Sequence, residues 1–306
     1  MIRIDHRDPM PDALRGAIIA LGNFDGFHLG HQAVAGEALR WAKEAGRPAI
    51  VATFDPHPMR HFRPQAEPFR LTTLDQRQEL FARAGADAML VFHFDGELAG
   101  MTAQDFVTGL LAGHLGAGGV VTGDDFTFGK ARGGSPETFA EFGMPARTVG
   151  AVIDEKGPVS SSRIRTALKA GDCAEAARLL TRPFTVRGTV QHGDKNGRLL
   201  GFPTANIDMG NYLRPLYGVY AVRGRLPDGR VVDGAANLGI RPQFDPPKEL
   251  LEPQFFDFSD DLYGTEIEVE FHAFLRGEAK FAGLEELTAQ IGRDCDAART
   301  ALAARG

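Results

Sequence analysis

"AIIALGNFDGFHLGHQAVAGEALRWAKEAG", residues 17–46, decides how this chain folds. Its opening, "AIIALGNF" (17–24), is an apolar run of strand length. From Leu29 onward the pattern turns helical, with Leu39 and Trp41 among the apolar residues and Gly46 as the stop. A buried strand therefore passes through a glycine-flanked turn into a helix. Within that turn His28 and His31 stand three residues apart, with Gly30 between them. The pair fits three readings: half of a metal site, two side chains facing a phosphate, or two ordinary surface residues.

Working outward, the same alternation continues. "PAIVATF" (48–54), "AMLVFHF" (88–94) and "GGVVTG" (118–123) read as strands. "TLDQRQELFARAG" (73–85), with Asp75 as its expected cap, and "TAQDFVTGLLAGHLG" (102–116) read as helices. Strands alternating with helices at this spacing predict a parallel sheet with helices on both faces. Near residue 183 the pattern changes. "PFTVRGTVQHG", "GVYAVRGRL", "VVDGAANLG", "PQFFDF" and "EIEVEFHAFLR" are short Val-, Tyr- and Phe-rich runs broken by Gly and Pro. They predict an antiparallel barrel or sandwich. Asp228-Gly229 marks a hairpin turn, and "GLEELTAQIGRDCDAARTALAAR" reads as a closing helix. We expect domains at 1–182 and 183–306.

Composition narrows the function class. At 306 residues, with 43% hydrophobic and 24% charged residues, the chain is globular rather than disordered. A net charge of −6 argues against a general nucleic-acid coat, while leaving room for a local basic pocket. The two cysteines, Cys173 and Cys295, build no disulfide framework or zinc-finger spacing. No apolar stretch reaches membrane-span length, and the first residues lack the apolar core of a signal peptide. A soluble, cytoplasmic protein is expected.

Gly22 and Gly26 flank Asn23, Phe24 and Asp25 where strand becomes helix. Such a junction presents backbone N–H groups and the positive end of the helix dipole, which favours anions. Farther along, "VSSSRIRTAL" (159–168) puts Ser160, Ser161 and Ser162 before a helix that carries Arg163 and Arg165. Hydroxyls and planar guanidiniums suit phosphate oxygens. For zinc, the histidine pair lacks a carboxylate or cysteine at ligand spacing. The two segments together read as a two-sided clamp for a triphosphate.

"GNFDGFHLGH" resembles the HxGH motif of nucleotidyltransferases, and "SSSRIR" resembles its ISSTR partner. "TFDPHP" (53–58) and "GDDFTFGK" (123–130) narrow the likeness to the N-terminal module of prokaryotic bifunctional FAD synthetases. Ser162 stands where Thr is usual, and "KARGGS" where GRxGD is commoner. The resemblance implies ATP contacts from Gly22, Asn23, Phe24, Asp25, Gly26, Gly30 and Ser160 to Ser162. It implies catalytic roles for His28, His31 and Arg163. Flavin contacts would come from Asp55, His57, Pro58, Asp125 and Phe128.

"GTVQHGDKNGRLLGFPTANI" (188–207) is glycine-rich but lacks GxxxxGK[ST], so it is not a P-loop. Thr204 and Asn206 offer hard oxygens suited to Mg²⁺. This run resembles the PTAN signature of riboflavin kinases, and "GVYAV", "ANLGIRPQF", "FDFSDDLYG" and "FLRGEAKF" follow in that module's order. The likeness implies ATP contacts from Gly193, Gly201, Phe202, Pro203, Thr204 and Asn206, with Mg²⁺ on Thr204 and Asn206. It makes Glu252, in "LLEPQFFDF", the catalytic base, and Asn237, Arg241 and Arg276 flavin or phosphate contacts. Pro253 predicts that this strand lies at an edge or a mouth, because proline donates no ladder N–H.

The implied fold is an α/β nucleotidyltransferase domain followed by a small antiparallel β-barrel with a terminal helix. The implied chemistry is phosphorylation of riboflavin to FMN, then adenylylation of FMN to FAD. Partners would be riboflavin, FMN and ATP, with no nucleic acid and no membrane. A single-substrate nucleotidyltransferase, an aminoacyl-tRNA synthetase relative and a non-catalytic flavin carrier are the rivals. The PTAN stretch, the lack of a KMSKS-like loop and the intact candidate catalytic residues argue against each in turn.

Overall fold

A computed structural model describes residues 1–191, 204–241 and 248–304. The chain packs as two compact units, Met1–Glu67 with Thr72–Ser160, and Pro68–Leu71 with Ser161–Gly306.

The first unit holds strands β1 (Ile2–Asp5), β2 (Ile18–Leu21), β3 (Ala49–Phe54), β4 (Ala88–Phe92), β5 (Gly119–Gly123) and β6 (Ala146–Val149). They form one parallel sheet in the order β1-β4-β3-β2-β5-β6. Ile19, Leu21, Ile50 and Leu90 face one apolar layer, and Ile18, Ala20, Val51 and Met89 the other. That alternation buries both faces and explains the unbroken apolar runs. The strand order reverses between β2 and β5. In open α/β sheets ligands bind beyond the carboxyl ends of strands at such a switch point. The turn after β2 carries the histidine pair, and the segment after β5 carries Asp125.

Helix α1 (Leu29–Ala45) starts at His28 and stops at Gly46, whose left-handed φ of 62° lets its N–H bond back to Ala42 and Lys43. Helix α2 is Pro58–Phe62 and α3 is Leu74–Ala84. Asp75 is not the cap of α3. Thr73 is, in a reciprocal capping box with Gln76, and Asp75 sits in the first turn. Helices α4 (Gly96–Gly100) and α5 (Pro136–Glu141) are short. Between them Asp105–His114 winds as a π-helix, with the Leu115 N–H bonding the Leu110 carbonyl five residues back. A two-residue hairpin, β7 (Ile153–Asp154) and β8 (Gly157–Pro158), completes the unit.

In the second unit α6 (Ser161–Lys169) and α7 (Cys173–Leu180) precede β9 (Phe184–Thr189), β10 (Ile207–Asp208), β11 (Gly218–Arg225), β12 (Val231–Arg241), β13 (Lys248–Phe255) and β14 (Glu266–Arg276). These strands pair antiparallel in the order β10-β13-β12-β11-β14-β9. A bridge between Gln191 and Asn206, just outside the two edge strands, nearly closes the sheet into a barrel. The hairpin at Asp228-Gly229 is present, with Gly229 at φ 87°. Helix α8 (Leu284–Ala303) packs Ala298 and Leu302 against Ala221, Ala235 and Phe256. The packing border at residues 160 and 161 precedes the change of pattern at 183, because α7 packs on β9 and β14.

Candidate active sites

The turn from β2 into α1 is built tightly around its histidines. His28 is buried and caps α1, its Nδ1 accepting the His31 N–H at 3.4 Å. The two imidazoles stack with centroids 3.6 Å apart, and the Phe24 ring meets His31 edge-on at 5.2 Å. A methyl at Gly30 would stand 3.2 Å from the His28 ring and 3.4 Å from the Val159 carbonyl. The end of the segment leading into the serine run therefore lies against the histidine turn. Phe24 and Phe27 adopt left-handed φ values of 47° and 44°, and Gly26 one of 86°. Non-glycine residues hold that conformation only where their surroundings over-determine it.

Those surroundings come from α3, the residues just before it, and β3. The buried Asp25 carboxylate accepts from the Thr72 N–H at 3.0 Å and from its hydroxyl at 3.2 Å. The Gly26 N–H donates to Thr72 Oγ1 at 2.9 Å. Arg77, also buried, donates to Thr53 Oγ1 at 2.5 Å, and the Thr53 hydroxyl donates to the Asn23 carbonyl at 2.7 Å. Asn23 Oδ1 is buried with no hydrogen-bond partner among the described residues. Neither Thr72 nor Arg77 was singled out from sequence.

After β3, Asp55 lies 3.4 Å from Arg77 Nη2. His57 caps α2 with its Nδ1 accepting the Met59 N–H at 3.1 Å, and Pro58 occupies the first turn of that helix. After β5, Asp125 is exposed. Phe128 is buried instead, stacked on Phe139 at 4.5 Å and packed with Phe106 and Phe126. Its side chain belongs to the apolar layer under the sheet.

Ser160 ends the first unit, and Ser161 opens α6 of the second. Ser162 is exposed and Arg163 half-buried. Arg163 pairs with Glu175 at 2.5 Å, and Arg178 shares that carboxylate. Arg165 donates to the Phe69 carbonyl at 2.8 Å and lies over the Phe69 ring.

In the barrel, Glu252 on β13 stands opposite Asn237 on β12, whose Nδ2 lies 3.4 Å from Glu252 Oε2. Strand β13 is an inner strand, not an edge. Its neighbour β10, however, pairs only with Leu250 and Leu251. Pro253 lies past that short strand, opposite Ala236, and its carbonyl accepts the Ala205 N–H at 2.9 Å. The missing proline N–H is thus accommodated beside the Thr204–Asn206 segment. Thr204 is half-buried, Asn206 is buried, and the Asn206 carbonyl accepts the Gln191 N–H at 2.8 Å. Gly193, Gly201, Phe202 and Pro203 lie outside the described residues, and Arg241 is described only as part of β12. Arg276 is bound by the buried Asp294 of α8 through bonds of 2.9 and 2.6 Å, so it holds the helix to β14. Among the described residues no group of three or more His, Cys, Asp and Glu could hold a metal.

One further cluster carries displaced titrations. Tyr217 donates to Glu249, which also accepts from Arg214. Burial pushes the Tyr217 hydroxyl up to about 12, and the bond to Glu249 adds to the rise. Burial alone would raise Glu249, but Tyr217 and Arg214 outweigh it and hold the carboxyl below its usual range.

Comparison with known proteins gives the class first. The profile of the FAD synthetase family matches residues 10–163, and that of riboflavin kinase matches residues 180–302. The chain thus joins a nucleotidyltransferase-type α/β unit to a flavokinase barrel. It belongs to the family of bifunctional riboflavin kinase/FMN adenylyltransferases. The member from Haemophilus influenzae is 37% identical over 293 residues, covering 94% of each chain. Those from Bacillus subtilis and Pseudomonas fluorescens are 38% and 40% identical over at least 90% of either chain. A crystal structure described as a macrolide-efflux protein from Streptococcus pneumoniae matches with a TM-score of 0.87 at 30% identity, covering 98% of this chain and 99% of that one. Among the described residues no helix is long and apolar enough to cross a membrane.

Proposed function

We propose that this chain makes FAD from riboflavin in two ATP-dependent steps, one in each family segment. The observation that carries the reading is the pair of family matches in one chain, each containing its candidate catalytic residues. In the first step Glu252 accepts the proton of the riboflavin alcohol as that oxygen attacks the γ-phosphorus of ATP, and ADP leaves. Asn237 orients the Glu252 carboxylate across the strand pair. Thr204 and Asn206 carry a hydroxyl and an amide oxygen, a hard donor set that would hold Mg²⁺. When bound, Mg²⁺ would neutralise charge on the ATP phosphates. Gly193, Gly201, Phe202 and Pro203 complete the nucleotide contacts in this reading, by resemblance alone.

In the second step the FMN phosphate attacks the α-phosphorus of a second ATP, and pyrophosphate leaves. No protein nucleophile is required. The α1 N-terminus, His28 and His31 stabilise the developing charge. Ser160 to Ser162 and Arg163 keep their phosphate roles on the strength of the motif. Asp55, His57, Pro58 and Asp125 are the flavin-side candidates, whereas the buried Phe128 would support that side from beneath. We keep the functional border near residue 183, three residues inside the start of the riboflavin kinase match at residue 180. Two free cysteines suit a reducing cytoplasm.

Glu252→Gln tests the assignment of the base. Riboflavin phosphorylation should fall at least about 100-fold, in the range of lost general-base catalysis, while FMN conversion to FAD stays unchanged. Phosphorylation at a near wild-type rate would remove Glu252 from that role.

A further inference from the structure

The least explained group near the histidine turn is Arg77. It is a guanidinium only 2% exposed, on a helix that contributes none of the candidate substrate contacts. Burying such a charge is costly unless its donors are used. Its two Nη nitrogens reach two different segments. Nη1 reaches the Asn23 carbonyl of the nucleotide turn at 3.3 Å and donates to Thr53 Oγ1, at the head of "TFDPHP", at 2.5 Å. The same nitrogen reaches the Phe54 carbonyl at 3.4 Å, and Nη2 reaches Asp55 Oδ1 at 3.4 Å, both in the "TFDPHP" segment. The fully buried Thr53 relays the first contact by donating its own hydroxyl to the Asn23 carbonyl at 2.7 Å. Five residues before Arg77, Thr72 grips Asp25 and Gly26 of the same turn.

We propose that Arg77 is a positioning residue for adenylyl transfer, fixing the spacing between the nucleotide turn at Asn23 and the flavin-side segment at Phe54 and Asp55. The idea rests on the reading of these two segments as the adenylyltransferase site. An in-line attack needs the FMN phosphate and the α-phosphorus held at one separation, and small misplacements are costly in rate. One planar, five-donor group can tie both segments, whereas a single ammonium cannot reproduce the fork.

The test uses the full chain with Arg77→Gln, Arg77→Lys, Thr53→Val and the Arg77→Gln/Thr53→Val pair. For each, kcat and both KM values of adenylyl transfer are measured, with riboflavin phosphorylation as the internal control. The expected result for Arg77→Gln is a fall in kcat of about 10- to 100-fold, in line with positioning losses, with KM values changed far less. Arg77→Lys should be intermediate. The double variant should be no worse than Arg77→Gln alone, since both residues act through one relay. Should Arg77→Gln fail to fold, Arg77→Lys and Thr53→Val carry the same kcat-against-KM readout. Unchanged kcat in the folded variants, or equal losses in both activities, overturns the proposal. His31→Ala serves as the site control. Full adenylyl transfer in His31→Ala would sink the site reading itself, whereas its loss beside an unaffected Arg77→Gln would sink the positioning role alone.

Discussion

A methyl group added at Gly30 would stand 3.2 Å from the His28 ring and 3.4 Å from the Val159 carbonyl. The imidazole is tied by its stack on His31 and by its capping bond. Gly30→Ala should therefore move the His28 ring by a few tenths of an ångström without unfolding α1. Adenylyl transfer should fall about tenfold, as small misplacements of catalytic groups do, and riboflavin phosphorylation should not change. Separate assays of the two reactions check this, and equal losses in both would point to misfolding instead. The histidine pair was legible in the sequence because its members are neighbours along one helix turn. Thr72 and Arg77 were not. Thr72 meets its turn partner Gly26 across 46 residues of chain, and Arg77 meets Asn23 across 54. Within "LDQRQEL" a buried arginine looks like any charged residue on a helix surface. The Arg276–Asp294 pair was not legible either, because Asp294 lies on a helix whose docking no local pattern reveals.

The central strands were legible for the reason that they are buried on both faces. Strands β2 to β5 are unbroken apolar runs that bury nearly every residue, whereas β1 and β6, at the sheet edges, mix exposed and buried positions and were not read. In the second unit α8 docks on β11 and β12, strands far from it in sequence. Asp294→Asn should leave the Arg276 fork without its charged partner and destabilise the protein by about 1–3 kcal/mol, less than a fully buried pair because Arg276 is partly exposed. Urea denaturation followed by tryptophan-independent circular dichroism measures it, and an unchanged midpoint would contradict the anchoring role. At the start of β11, Tyr217 gives a pH prediction. Its hydroxyl is held up to about 12 when folded, against 10.0 ordinarily, so the folded state keeps this proton longer than the unfolded one. The associated stability is full below pH 10 and lost as pH rises from 10 toward 12. Tyr217→Phe should flatten the loss of stability over that window, and parallel curves for variant and wild type would refute the assignment.

Over the whole molecule, the two kinds of sequence pattern correspond to two family segments and to two six-stranded sheets, one parallel and one antiparallel. What the pattern could not convey is the packing border. Helices α6 and α7 have helical periodicity like those before them, yet they pack with the strands that follow. Of the serine and arginine run read from the sequence, Ser160 falls in the first unit and Ser161 to Arg163 in the second. The central claim is that one chain carries two separable reactions, with the histidine turn serving only the second. The direct measurement resolves the products of riboflavin with Mg-ATP over time, for the wild type and for the His28→Ala/His31→Ala variant. The account predicts FMN followed by FAD in the wild type, and FMN accumulating without FAD in the variant. FAD formed by the variant at the wild-type rate, or loss of FMN together with FAD, would contradict it.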